Sequence, residues 1–145
     1  MRRRPSARLL VLDPDDRVLL FRFRFDDGPL AGTTYWATPG GGLNEGEIFS
    51  EAARRELLEE TGVEAEVGDA VAVRHTQFRL STGETVAAEE HYFLVRISGS
   101  IDISGNPDPV ERAFISEAKW LPIDQLAASG DTIFPENIVE MLNRL

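Results

Sequence analysis

The segment Glu51-Ala52-Ala53-Arg54-Arg55-Glu56-Leu57-Leu58-Glu59-Glu60-Thr61-Gly62-Val63 constrains this chain more than any other. Its helix formers, ending at a glycine, predict a helix over Glu47–Thr61 with Gly62 as the stop. The start is less sharp: Asn44 with Glu47 resembles a capping box, and the first turn can begin as late as Ser50. At about 100° of rotation per residue, Glu56, Glu59 and Glu60 share one side of that helix. Phe49, Ala52 and Ala53 occupy the same side one and two turns earlier, so the carboxylates continue an apolar stripe that faces inward.

Such a face is costly without a partner. Glu56 and Glu60 form a like-charge (i, i+4) pair, worth roughly 0.2–0.5 kcal/mol of destabilisation in an exposed helix. Glu59 and Glu60 fall in the last turn, where the helix dipole disfavours anions by roughly 0.3–1 kcal/mol. Burial raises both costs and pushes carboxylate pKa values upward. Arg55 can pair with Glu59 at (i, i+4), which relieves one charge of three. A hard divalent cation relieves the rest: Mg²⁺ takes oxygen ligands and keeps several waters, and Mn²⁺ is a possible substitute. The plainer reading is a solvated acidic face, or a structural acidic helix that binds no metal. Gly40-Gly41-Gly42 stands just before the helix, after a short strand-like run, and lets backbone approach a ligand closely.

The spacing across both features is specific. Gly41, then Glu47, then Arg55-Glu56-Leu57, then Glu59-Glu60, Gly62 and Val63 satisfy every defined position of the Nudix box, which spans residues 41–63. The chain thus resembles the Nudix hydrolases, the MutT-like proteins, and Trp36 to Gly42 resembles the lead-in of that family less specifically. The resemblance implies an α/β Nudix fold, a mixed β-sheet sandwiched between helices (α/β/α), in a single domain over residues 1–145. It implies hydrolysis of a phosphoanhydride bond in a nucleoside diphosphate linked to a further moiety. By the same resemblance Glu56, Glu59 and Glu60 are metal ligands or act on water, and Gly40 offers a carbonyl to the metal. Arg55 orients a catalytic glutamate, Glu47 braces loop and helix, and Glu59 is the first choice of base. Glutamates outside the box sometimes serve as base in relatives, which makes Glu89, Glu90 and Glu111 further candidates. Homodimers are common among relatives.

Charge and composition bound the partners. The 145 residues, 42% of them hydrophobic, suit one globular core. A formal net charge of −10 disfavours polymeric nucleic acid and anionic membranes, leaving a small nucleotide-type substrate held through a cation. Cysteine is absent, which excludes thiolate chemistry. Met1 to Arg4 starts like a signal peptide, but Arg8 and Asp13-Pro14 interrupt the apolar run. The expectation is a solvated N-terminal tail on a soluble cytoplasmic protein.

Elsewhere, Ala7–Leu12 and Arg17–Phe25 read as strands around an Asp13–Asp16 turn. Phe21, Phe23 and Phe25 alternate with Arg22 and Arg24, which sets the arginines on the opposite face as solvated residues or as phosphate contacts beside the acidic site. Tyr35–Thr38, Val67–Leu80, Thr85–Ile97 and Ala118–Leu121 read as strands, Ser98–Pro109 as loop, and Ile123–Ala128 and Pro135–Leu145 as helices. His75 and His91 show no metal-ligand spacing, while Trp36 and Tyr92 suit core packing better than base stacking. Substrate identity is open between a nucleoside triphosphate and a nucleotide sugar. No proline occurs between Pro39 and Pro107, which lowers the ADP-ribose option. The competing function is a catalytically silent Nudix sensing or interaction domain, but such domains tend to lose the box glutamates that this chain keeps.

Overall fold

The computed structural model describes residues 1–98, 100–102 and 105–145. In chain order the elements are β1 (Arg3–Leu12), β2 (Val18–Arg24), β3 (Thr34–Ala37), β4 (Gly40–Gly42), α1 (Phe49–Thr61), β5 (Ala72–Arg79) and β6 (Thr85–Arg96). They continue as α2 (Pro109–Phe114), β7 (Ile115–Leu121), α3 (Ile123–Ala128), β8 (Ile133–Phe134) and α4 (Ile138–Asn143).

Period-two alternation along the central strands builds two cores, one on each face of a mixed sheet. Ala7, Leu9 and Val11 of β1, Leu19 and Phe21 of β2, and Phe93 and Val95 of β6 pack against Ala52, Ala53 and Leu57 of α1. Leu10, Leu12, Val18, Leu20 and Tyr92 point the other way, against Leu126 of α3 and Ile138, Met141 and Leu142 of α4. Helices therefore cover both faces, as the α/β/α expectation required.

The sheet forks at its centre. β1 lies parallel to β6 along its whole length, from Arg3 beside Ala87 to Leu12 beside Arg96. Its pairing with β2 is confined to Leu12 and Val18, next to a turn held by Asp13, whose carboxylate accepts N–H bonds from Asp15 and Arg17. Beyond that point β4 takes the edge of β1, setting Gly40 beside Arg8 and Gly42 beside Ser6, while β2 pairs with β3 and β7. The short Thr38-Pro39 link between β3 and β4 crosses the fork.

Helix α1 begins late in the expected range. Ile48 is extended, and its N–H is taken by the Glu51 carboxylate at 3.0 Å. Glu47 stays outside the helix and accepts the Asn44 N–H at 2.9 Å, so the Asn44–Glu47 pair organises the preceding loop instead of capping the helix. At the other end Gly62 adopts φ 74°, and its N–H closes on the Leu58 carbonyl, a left-handed cap that suits glycine.

Several expectations change. Arg3 and Arg4 are not a free tail: they belong to β1, because β6 offers a parallel edge as far as Ala87. β5 starts at Ala72 instead of Val67, and β7 extends back to Ile115. The region read as loop over Ser98–Pro109 leads into the one-turn helix α2, and its positions 99, 103 and 104 lie outside the described residues. The last helix, expected over Pro135–Leu145, is confined to Ile138–Asn143, and Ile133–Phe134 before it pairs with β3 as β8. Among the described residues, no helix is long and apolar enough to cross a membrane.

Candidate functional site

Helix α1 carries Glu56 and Glu60 on the face that packs beneath β4, and both are buried, at 7% and 2% exposure. The glycines of β4 are what let the carboxylates come so close. Gly40 donates its N–H to Glu60 Oε2 at 2.8 Å. A side chain on Gly41 would put its Cβ 2.6 Å from Glu56 Oε1, so only glycine leaves that carboxylate in place. The sequence reading gave Gly40 a carbonyl role; the contact seen here is through its N–H.

Arg55 clamps the other side of the cluster. Its Nε and NH2 donate to the two oxygens of Glu47 at 2.9 Å each, and NH2 also reaches the Gly42 carbonyl at 3.0 Å. NH1 donates to Glu56 Oε1 at 2.9 Å and to Glu59 Oε2 at 3.3 Å. One planar guanidinium thus ties the loop, β4 and two helix glutamates together. The bonds from Arg55 hold Glu47 below the usual carboxylate range, and those from Glu47 raise the Arg55 pKa further. Glu59, with its side chain one-third exposed, is turned toward Arg55.

Burial pushes the Glu56 carboxyl upward against the pull of Arg55, and it pushes Glu60 much further. Glu111 from α2 adds to the second effect, since its side chain hydrogen-bonds Glu60. The donor set, hard carboxylate oxygens that are buried and crowded by like charge, fits a hard divalent cation. Among the described residues no three His, Cys, Asp or Glu side chains form a ready-made cage. Mg²⁺ does not need one, because it commonly binds through one or two carboxylates and fills its shell with water and phosphate oxygens.

Beside the glutamates a cavity of about 280 Å³ opens along the fork. Gly40, Gly41, Glu90 and Glu111 line it, with Arg4 and Arg8 from β1. Its far wall is aromatic, formed by Phe23, Phe25, Tyr35, Phe78, Phe114 and Phe134. Tyr35 is the hub of that wall, stacked on Phe23 at 5.3 Å and edge-on to Phe134 at 5.3 Å.

The sequence-derived residues divide accordingly. Glu47, Arg55, Glu56, Glu59, Glu60, Gly40 and Gly41 meet in one place, and Glu111 joins them. Glu90 lines the cavity but pairs with Arg8 Nε at 3.5 Å and accepts the Tyr92 hydroxyl at 3.3 Å. Glu89 pairs with His91 and Arg3 and is not part of the lining. Arg22 and Arg24 require correction: neither lines the cavity, Arg22 reaches Ser116 at 3.5 Å and Arg24 pairs with Asp26 at 2.9 Å. The alternation was read correctly, but it is the phenylalanine face of β2 that borders the cavity. Trp36 and Tyr92 pack in the core, and the His91 ring stacks on Phe49 at 3.5 Å. Sequence reasoning missed Arg4 and Arg8. Their signal was present, since both share a strand face with the apolar Leu10 and Leu12, where arginine is out of place.

Comparison with known proteins agrees with this geometry. A family model described as NUDIX domain matches residues 2–142. A protein of Erythrobacter litoralis named RNA pyrophosphohydrolase is 39% identical over 104 residues, covering 63% of this chain and 61% of its own length. This chain therefore spans about three-fifths of that relative. A protein of the same name from Novosphingobium aromaticivorans is 30% identical over 133 residues, covering 85% of this chain and 80% of its own length. Among solved structures, a MutT protein from Methanosarcina mazei superposes with a TM-score of 0.72 at 21% identity, over 99% of this chain and 92% of that one. The dihydroneopterin triphosphate pyrophosphohydrolase of E. coli gives 0.70 at 19% identity, over 100% and 97%. With the family model running nearly end to end and the glutamate cluster built from the box residues, this chain belongs to the Nudix family.

Proposed function

We propose that the protein is a Mg²⁺-dependent pyrophosphohydrolase that cleaves a phosphoanhydride bond of a nucleoside 5′-triphosphate group. The observation that carries this reading is the placement of the buried carboxylates Glu56 and Glu60 against Gly40 and Gly41, which line a cavity whose wall also includes the aromatic side chains of Phe23, Phe25, Tyr35, Phe78, Phe114 and Phe134. The carboxylates suit the charged end of a nucleotide and the rings suit its base. The names of the Erythrobacter and Novosphingobium relatives support pyrophosphate-bond cleavage and bring in a second form of the same chemistry, a triphosphate at an RNA 5′ end. The net charge of −10 argues that contacts stop at the terminal nucleotide.

In this reading Glu56 and Glu60 hold the cation, with Glu111 beside them. A divalent ion there supplies charge neutralisation of the phosphate oxygens and lowers the pKa of bound water. Arg55 fixes Glu56 by its 2.9 Å bond and steadies Glu59. Glu59 is assigned as proton acceptor, because it is the box glutamate that keeps access to solvent. Glu111 is the second choice, since it borders the cavity and hydrogen-bonds Glu60. The two are separated by Glu59→Gln and Glu111→Gln: the true base loses about 10²–10⁴-fold in kcat and the other loses much less.

The test is a substrate panel with Mg²⁺ and again with chelator: nucleoside triphosphates, nucleotide sugars and a short RNA bearing a 5′-triphosphate. Release of pyrophosphate or phosphate from the triphosphates, abolished by chelator and by Glu60→Gln in a folded protein, is the expected result. No turnover of any member contradicts the reading and favours a ligand-sensing Nudix domain.

A further inference from the structure

Two tyrosines line the cavity, and their hydroxyls differ. Tyr92 donates to Glu90 at 3.3 Å. The Tyr35 hydroxyl has no hydrogen-bond partner among the described residues, although the residue is only 9% exposed. Its ring is held on several sides. Tyr35 lies on β3 directly opposite Phe23 of β2, and Phe23, Phe25, Phe78 and Phe134 set their ring centroids 5.3–6.5 Å from its own. A tyrosine packed in this way has little freedom in either side-chain torsion, so the direction of its hydroxyl is fixed before any ligand arrives.

Buried hydroxyls are nearly always hydrogen-bonded, and one left open among phenylalanines on a cavity wall marks a place where a ligand supplies the partner. The chemistry of that partner follows from the surroundings. Burial holds the Tyr35 phenol above its ordinary range, with Arg8 pulling it down and Glu111 pushing it up. It is therefore a neutral O–H, which both donates and accepts. Both charged groups are near enough to act on it, and Glu111 hydrogen-bonds Glu60 of the cation site. Tyr35 thus has its ring among the phenylalanines and its polar atom within the field of the charged cluster. A nucleotide with its base on those rings and its phosphates on a cation at Glu60 brings its pentose to the group that spans the two. A sugar alcohol also donates and accepts, which is the match a neutral phenol requires.

We propose that the Tyr35 hydroxyl is a specificity-determining contact to a secondary alcohol of the substrate's pentose, so that the protein selects ribonucleotides over their deoxy counterparts. The proposal rests on the nucleotide reading above, but the contact is testable without turnover. The probes are ADP and GDP, each with its 2′-deoxy and 3′-deoxy forms, titrated calorimetrically with Mg²⁺ into the wild type and Tyr35→Phe. That substitution keeps the ring and removes an unpaired group, so the variant folds with a melting temperature close to wild type. In the wild type a ribose form should bind about fivefold or more tightly than at least one of its deoxy forms, and in Tyr35→Phe that ratio should fall to about one. The deoxy form that binds more weakly identifies the alcohol. Wild-type ratios near one for both deoxy forms, or a ratio unchanged in Tyr35→Phe, overturn the contact and leave the nucleotide reading intact. A wild type that binds none of the diphosphates overturns both. Selective binding with no turnover of any panel member would sink the hydrolase reading and leave the contact standing.

Turnover supplies a second readout, with whichever triphosphate of the panel is cleaved and its 2′-deoxy and 3′-deoxy forms. A sugar contact predicts that Tyr35→Phe lowers kcat/KM for the ribose substrate toward the value for the discriminated deoxy substrate, so that the preference disappears. A ring that serves packing alone predicts the wild-type preference in the variant and contradicts the assignment. A fall by the same factor on ribose and deoxy substrates would mean that the hydroxyl acts on the phosphates or on the reacting water, and it would contradict the assignment equally.

Discussion

At the scale of single residues, the account rests on carboxylates that are buried before a cation neutralises them. Glu60 has a folded-state pKa raised above its ordinary 4.5, by burial first and by Glu111 next. An acid shifted in this direction contributes stability that is complete below its unfolded pKa and is lost as pH rises through the folded value. Chelated protein should therefore lose thermal stability as pH climbs from about 4.5 toward neutrality, and Mg²⁺ should restore it at the upper end. Glu60→Gln should flatten that slope, which melting curves across pH with and without metal will show; an unchanged slope would mean that Glu60 is not the strained group. The glycines give a second contrast. Gly41→Ala pushes only a carboxylate, Glu56, and should weaken metal binding at little cost in stability. Gly40→Ala sets its Cβ 2.2 Å from the Ala7 carbonyl oxygen at φ 140°, which should disrupt the β1–β4 pairing and lower stability sharply. Calorimetric metal titrations beside melting curves separate the two. Much of this cluster was legible in the sequence, because helical periodicity alone sets Glu56 and Glu60 on one face with Ala52 and Ala53. Arg4 and Arg8 left only a partial signal, arginines on the strand face of Leu10 and Leu12, since which face of a strand meets a cavity depends on partners far along the chain.

At the scale of elements, α1 is both structural and functional. Leu57 is fully buried against β1, β2 and β6, so Leu57→Ala should cost about 2–5 kcal/mol. In a chain of this size that corresponds to a drop of about 2–4 °C in melting temperature per kcal/mol, readable by calorimetry. The loop before the helix depends on Arg55 instead. Lysine cannot reproduce a guanidinium that bonds Glu47, Gly42 and Glu56 together, and Arg55→Lys should lower metal affinity or kcat by about 10–100-fold while the fold persists. Near-normal values would show the clamp to be dispensable. The helix and the long strands could be read from pattern because their periods repeat over many residues. α2 and β8 could not: α2 is a single turn and β8 has two residues, too short for any period to declare itself, and each exists because a neighbour offers an edge or a surface. The cost of missing α2 was the position of Glu111, which no local feature of the sequence links to Glu60.

At the scale of the whole molecule, the function follows from a fork in the sheet. β1 and β2 share one pair, Leu12 and Val18, and then separate, and the opening between them receives glycines from one side, arginines from β1 and phenylalanines from β2. Neither strand in isolation predicts that meeting, which is why the alternation along β2 left Arg22 and Arg24 open between solvated residues and phosphate contacts. Net charge adds a long-range effect. A charge of −10 repels a polyanionic substrate at a distance, so kcat/KM for a triphosphate should rise as salt is added from about 10 mM to about 100 mM, where screening shortens from about 30 Å to about 10 Å. A fall over that range would show that the local arginines govern approach. Beneath all of this lies the claim that Glu56 and Glu60 hold a divalent ion. It is tested most directly by titrating Mn²⁺ into the wild type and into the Glu56→Gln/Glu60→Gln double variant and following free Mn²⁺ by its paramagnetic resonance signal. The account predicts saturable binding in the wild type that disappears in a double variant whose melting temperature in chelator is at least that of the wild type. Equal binding by the two proteins, or none by the wild type, would contradict it.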